Sequence, residues 1–320
     1  MLDVHIVEYA ALNGSKKALV KQIGDGSIIK RFDMTPFPRK ESDIVCPHFL
    51  ELKWATGCPF DCAWCYLRGT MRHYLRKKKP TYKSLEKIEL HLRRFFRVDH
   101  PNQNEVLNTG EVADSLMSED TNRPFSNFII PLFETQKRHK VLFLTKSDRV
   151  DNFLGKKPHN QAIISFSLNS DAVAKRWEKA PSVAKRIEAA RKVFEAGYET
   201  RIRIDPIVPY PENEWPRHYR ELVDNIFSNL YPERITFGSL RGLQSTINES
   251  EDKSWVDYLG ERSEWGKRIL FELRRQTFEV ILDYLTEKHG YRKIALCKEP
   301  VMMWESLGLD WKDCGCNCVW

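Results

Sequence analysis

Three cysteines stand within eight residues in the run Ala55-Thr-Gly-Cys58-Pro-Phe-Asp-Cys62-Ala-Trp-Cys65-Tyr66. Thiolates are the ligands of iron–sulfur clusters, and a C-x3-C-x2-C run can wrap one cluster from a single loop. A cubane has four irons, so three thiolates leave one iron without a protein ligand. The competing chemistry is a structural zinc ion. Zinc takes four ligands, commonly as two C-x2-C pairs. Only one such pair lies here, and the third cysteine has the wrong offset. The spacing therefore favours a 4Fe–4S cluster on Cys58, Cys62 and Cys65.

A second thiol group closes the chain, Cys314-Gly-Cys316-Asn-Cys318. With Cys297 it makes a four-ligand set for a second cluster or a zinc ion. The alternatives are thiol chemistry at Cys316 and Cys318, or an oxidisable flexible tail. Arg203 and Asp205 are two residues apart on an expected strand and share one of its faces. If that face is interior, they are charges in a pocket. Arg241 follows another strand and is a further candidate for contact with substrate or cofactor. The basic run Arg72-His-Tyr-Leu-Arg-Lys-Lys-Lys79 carries an aromatic residue and reads either as a phosphate grip or as a solvated helix end.

The elements that must position these residues alternate. Strands are expected at 49–55, 105–108, 141–145, 162–167, 200–205, 234–238 and 294–297. Helical spacing of apolar residues marks 83–97, 125–138, 183–196 (closed by Gly197), 217–230 and a long segment at 266–289. This alternation implies a parallel sheet. The expected fold is α/β, an open, partial TIM-like (β/α)6 barrel with N- and C-terminal extensions. Its parts are an extended lead-in at 1–45, the barrel at 46–300 and a Cys-rich tail at 301–320. The first cysteine loop follows the first barrel strand, where parallel sheets carry their active-site loops.

The 320 residues carry a formal charge of +7 and a pI of about 8.9, which fits either a nucleic-acid partner or a solvated basic surface. The first residues have no basic segment before an apolar run, and no stretch is long and apolar enough to span a membrane. A cytoplasmic protein, monomeric or homodimeric and without membrane contact, is expected. In a reducing compartment eight cysteines suggest ligands or reactive thiols.

The triplet, with Trp64 before its last cysteine, resembles the radical S-adenosylmethionine (SAM) superfamily. Thr109-Gly-Glu-Val-Ala-Asp-Ser115, Leu144-Thr-Lys-Ser-Asp148 and Ser165-Phe-Ser-Leu-Asn-Ser170 resemble its spore photoproduct lyase branch. The resemblance covers about 45–300. It implies that the free iron chelates SAM, that an external electron donor such as flavodoxin or ferredoxin reduces the cluster, and that a 5′-deoxyadenosyl radical takes hydrogen from the substrate. It implies further that Glu111 binds the SAM amino group and Lys146 its carboxylate. Asp114 and Ser147 lie beside them, and Ser167 and Asn169 end the next strand, where they contact carboxylate or ribose. Asn169 and Ser170 are equally good helix caps.

One departure matters. The branch has a hydrogen-donating cysteine in the segment that here reads Leu107-Asn-Thr-Gly-Glu111, and no cysteine lies between 66 and 296. A tail thiol, Cys316 or Cys318, would have to take that role. Three readings follow: a photoproduct-lyase-like enzyme acting on a nucleobase in DNA, a radical SAM enzyme acting on a peptide or small molecule, and a non-catalytic zinc or cluster module that binds nucleic acid.

Overall fold

The computed structural model describes residues 2–10, 15–32, 43–73, 79–99 and 104–320. Residues 74–78 of the basic run and the turn-rich stretch at 34–40 lie outside them.

Ten strands form one sheet in chain order: β1 (Val4–Ala10), β2 (Lys16–Ile23), β3 (Ile29–Arg31), β4 (Leu50–Leu52), β5 (Glu105–Asn108), β6 (His139–Thr145), β7 (Ala162–Leu168), β8 (Glu199–Ile207), β9 (Ile235–Ser239) and β10 (Ile294–Leu296). From β4 to β10 every pairing is parallel. This is the expected open barrel, with seven parallel strands joined by six crossovers. The lead-in is not a separate extended arm. Its strands β1 to β3 pair antiparallel and continue the sheet from β4.

Period-two alternation sorts the strand residues. On β7, Ile164, Phe166 and Leu168 join the core under the helices, while Ser165 and Ser167 point the other way, into the barrel. On β8, Ile202 and Ile204 do the same, opposite Arg201, Arg203 and Asp205.

The outer layer is α1 (Tyr66–Thr70), α2 (Leu85–Phe96), α3 (Phe125–Phe133), α4 (Asp171–Trp177), α5 (Val183–Glu195), α6 (Trp215–Asn229), α7 (Gln244–Glu249), α8 (Phe271–His289) and α9 (Val301–Ser306). In α2 the apolar Ile88, Leu92 and Phe95 form one buried stripe. Ser84 caps its start, its hydroxyl accepting from Lys87 N at 3.1 Å. Each such side chain, fully buried, contributes about 1.5–3 kcal/mol.

Two expected helices are shorter. The segment from 125 ends at Phe133, because the Gln136 amide bonds Phe133 O and His139 O and turns the chain into β6. The segment from 266 begins at Phe271. Gly266–Arg268 is instead a strand paired with Arg241–Gly242 and Glu261–Ser263. Glu261 accepts from Phe271 N at 2.9 Å and so fixes where α8 starts.

The tail is a packed plug, which overturns the flexible-tail reading. Asn317 is 1% exposed. Its amide donates to Ser165 Oγ (2.7 Å) and Ile202 O (2.9 Å), and its oxygen accepts from Thr236 Oγ1 (2.8 Å). Arg201 donates to Asn317 O and Val319 O. The last residues thus fill the barrel below the C-terminal ends of its strands. No helix among the described residues is long and apolar enough to cross a membrane.

Candidate active site

A cavity of about 420 Å³ opens over the C-terminal strand ends. Cys58, Cys62 and Cys65 line one side. Their loop leaves the sheet at Gly57, which has φ +97°, a left-handed value that glycine adopts without strain. Gly57 N bonds Val112 O at 2.8 Å, which ties the loop to the segment after β5. Ala63 N bonds Trp177 O, the Ser250 hydroxyl bonds Ala63 O, and Arg68 bonds Cys62 O. Trp64 packs on Trp177 with ring centroids 5.6 Å apart. Burial, with the Glu178 carboxylate second, pushes the Cys62 thiol up to about 12. Burial first and Asp114 second raise Cys58 as well.

No three His, Cys, Asp or Glu side chains among the described residues close around a position for a single ion, and this holds for the triplet too. The donor set nevertheless fits a cluster: three free thiols from one loop face one cavity, and its described lining adds neither a fourth thiol nor a histidine.

Glu111 lines the cavity, and its carboxylate makes no hydrogen bond or ion pair among the described residues. It stands after β5 because Gly110 passes close to β6, where a Cβ would lie 2.6 Å from Leu144 Cβ. Lys146, after β6, also lines the cavity. Its ammonium bonds Glu178 Oε1 at 2.5 Å, and Glu178 Oε2 accepts from the buried Arg186 at 2.8 Å. Burial alone would raise the Glu178 carboxyl, but the Lys146 and Arg186 cations outweigh it and hold it below its ordinary range. Ser167 faces the cavity, with only a long 3.5 Å bond to Asp205 O.

Asp114 borders the cavity but is already spent on structure. It accepts from Leu116 N, Thr145 Oγ1 and Lys146 N, clasping the loops after β5 and β6. Ser147 and Asn169 do not line the cavity. Ser147 Oγ accepts from Arg149 N in a tight turn. Asn169 Nδ2 donates to Pro206 O, and its Oδ1 accepts from Ser170 N and the Tyr219 hydroxyl, so both ends of the amide are held by the scaffold. Ser170, not Asn169, caps α4.

Arg203, Asp205 and Arg241 form the facing wall, so the β8 charges do point inward. Asp205 Oδ2 lies 2.7 Å from Arg203 Nη2 and 3.4 Å from Arg241 Nη2. Burial opposes its ionisation, but the Arg241 and Arg203 charges prevail and hold it at about 2. Arg203 Nη2 also reaches Cys297 Sγ at 3.0 Å.

Cys316 and Cys318 do not line the main cavity. They border a pocket of about 20 Å³ behind it, with Cys46 and Cys297. Among the described residues no three of these thiols close around a position for a single ion. A second cluster or zinc ion at Cys297, Cys314, Cys316 and Cys318 thus gains no support. Cys46, which belongs to no motif, is the member of this group that sequence reasoning passed over. Glu178 and Arg186 went unnoticed for the same reason, since only the fold brings them to Lys146.

An open parallel barrel with a three-cysteine loop at the C-terminal edge of its first parallel strand is the architecture of the radical SAM class. The sequence profile described as "Spore photoproduct lyase" matches residues 49–241, and the chain belongs to that family. The spore photoproduct lyase of Bacillus subtilis (strain 168) is 27% identical over 235 residues, 68% of this chain and 65% of that protein. That of Clostridium acetobutylicum is 26% identical over 191 residues, 58% of this chain and 54% of that protein. The chain thus spans about two thirds or less of the length of these relatives. A solved spore photoproduct lyase variant superposes with a TM-score of 0.63 at 20% identity, covering 77% of this chain and 75% of that one. Another variant, solved with bound AdoMet and dinucleoside spore photoproduct, gives 0.61 over the same shares, also at 20% identity.

Proposed function

We propose that this chain is a radical SAM enzyme that acts on a nucleobase photoproduct in DNA. The observation that carries this reading is the meeting of three thiols from one loop and the unpaired Glu111 carboxylate in one cavity. When bound, the cluster and SAM supply a 5′-deoxyadenosyl radical, the species that takes hydrogen from substrate.

The chain's own residues do the rest. Cys58, Cys62 and Cys65 would hold three irons. Glu111 receives the SAM ammonium, a charge-assisted hydrogen bond. Lys146 keeps one N–H on Glu178 and offers the others to the SAM carboxylate. The Ser167 hydroxyl has capacity for ribose or carboxylate. The walls of Phe60, Trp64 and Tyr66 exclude water. The relative solved with AdoMet and a dinucleoside photoproduct supports both ligands. An external one-electron donor such as flavodoxin or ferredoxin completes the system.

One observation favours a second reading, in which the same chemistry acts on a peptide or small molecule. No thiol besides the triplet lines the described cavity, and Leu107–Glu111 carries none. Neither that segment nor Cys316 or Cys318 faces the cavity with a hydrogen-donating thiol.

Anaerobic reconstitution with iron, sulfide, dithionite and SAM tests the proposal. It predicts 5′-deoxyadenosine formation, and conversion of a spore photoproduct dinucleotide to the dithymidine dinucleotide. Absence of 5′-deoxyadenosine refutes the radical chemistry and leaves the zinc-module reading. Nucleoside formation without photoproduct turnover, and without salt-dependent DNA binding, selects the second reading.

A further inference from the structure

The cavity that the cysteine loop lines also holds polar groups that neither the fold nor the SAM reading uses. Thr246 Oγ1 and Trp265 Nε1 are buried and have no hydrogen-bond partner, and both residues line the cavity. A buried polar group left unpaired is unfavourable, so each points to a partner that the protein alone does not provide. Beside Trp265, and lining the same cavity, is Lys298. Its ammonium is held 4.3 Å from the Trp265 ring centroid and 4.7 Å from that of Phe32, a cation–π contact. It makes no ion pair among the described residues, and its backbone stands at φ +56°, a left-handed value rare for a lysine. Such strained positions gather at ligand sites.

We infer that Lys298, Trp265 and Thr246 form an anion subsite that takes the phosphodiester joining the two nucleosides of the substrate. An ammonium, an indole N–H and a hydroxyl can all donate, and none of the three brings a negative charge. The neighbouring Arg241 is already taken by Asp205 and by Cys297 O, so among the described lining residues Lys298 is the cation left to meet an oxyanion. The Phe32 and Trp265 rings, stacked with centroids 5.9 Å apart, flank the same place and suit a linked base. This inference rests on the nucleic-acid reading above.

The test measures binding of two probes to reconstituted, SAM-loaded protein: the spore photoproduct dinucleotide, which carries the phosphodiester, and the dinucleoside photoproduct, which lacks it. The wild type is expected to prefer the dinucleotide by about tenfold or more, the scale of one charged hydrogen bond. Lys298→Gln should erase that preference without weakening dinucleoside binding, and Lys298→Arg should keep it. Trp265→Phe, which retains the ring and removes the N–H, should reduce it. Iron content and melting temperature of each variant report folding. A full preference retained in Lys298→Gln overturns the subsite. Equal binding of both probes by the wild type overturns it too, while leaving the nucleic-acid reading standing. If neither probe binds, the reading and the subsite fall together.

Discussion

Glu178 joins the cavity to the scaffold, and its removal has a calculable cost. Its side chain is 1% exposed and bridges Lys146 (2.5 Å) and Arg186 (2.8 Å). Arg186 is wholly buried, and its other bonds run to the neutral carbonyls of Ser167 and Pro181. Glu178→Ala therefore strands a buried guanidinium. Breaking a buried pair from one side costs about 3–5 kcal/mol. In a chain of this size each kcal/mol moves the melting temperature by about 2 °C, so a fall of about 6–10 °C is expected. Replacing both partners, as in Glu178→Leu with Arg186→Met, removes the stranded charge and should melt above the single variant. The Glu178 carboxyl is held below the ordinary value of 4.5. Its stabilisation is whole above that pH and fades as pH falls through the folded value, so the gap between wild type and Glu178→Ala should close in acid. Calorimetric melts across pH measure all three effects. A single variant that melts within about 2 °C of wild type, or a double variant no better than the single, would refute the reasoning.

Glu111→Gln should weaken SAM binding by at least about tenfold with iron content unchanged, as titration calorimetry would report, since a charged hydrogen bond is worth about 1.5–3 kcal/mol. Asn317→Ala should lower the melting temperature, because it leaves buried partners on β7, β8 and β9 unpaired, at about 1–3 kcal/mol for each such group. Gly238→Ala places a Cβ 2.5 Å from Asp205 Cγ. It should cost about 1–3 kcal/mol from overpacking and raise the pH at which the Asp205 carboxylate protonates, read by acid unfolding, because Asp205 is pushed from the arginines that hold it at about 2.

Much of this was legible in the residues. Glu105–Asn108 is a strand with the bounds its apolar run suggested, and α2 and α5 follow their stripes because amphipathic spacing is a local signal. The cysteine loop was legible because its ligands are adjacent in sequence. The β1 to β3 edge was not, since short strands with mixed faces become strands only on finding a partner. Ser147 and Asn169 misled for a related reason. Polar residues at strand ends serve turns and caps as readily as ligands, and sequence does not say which claim is met first. The Lys146–Glu178–Arg186 chain and the thiols around Cys46 join residues far apart in sequence, which only the folded barrel brings together.

Electron paramagnetic and Mössbauer spectra of the reconstituted, reduced protein, with and without SAM, test the central claim most directly. About four irons per chain are expected, with one iron site distinct from the other three and its signal shifted by SAM. Replacing Cys58, Cys62 or Cys65 by Ala should abolish the cluster. A cluster blind to SAM, or zinc in the loop in place of iron, would contradict the account.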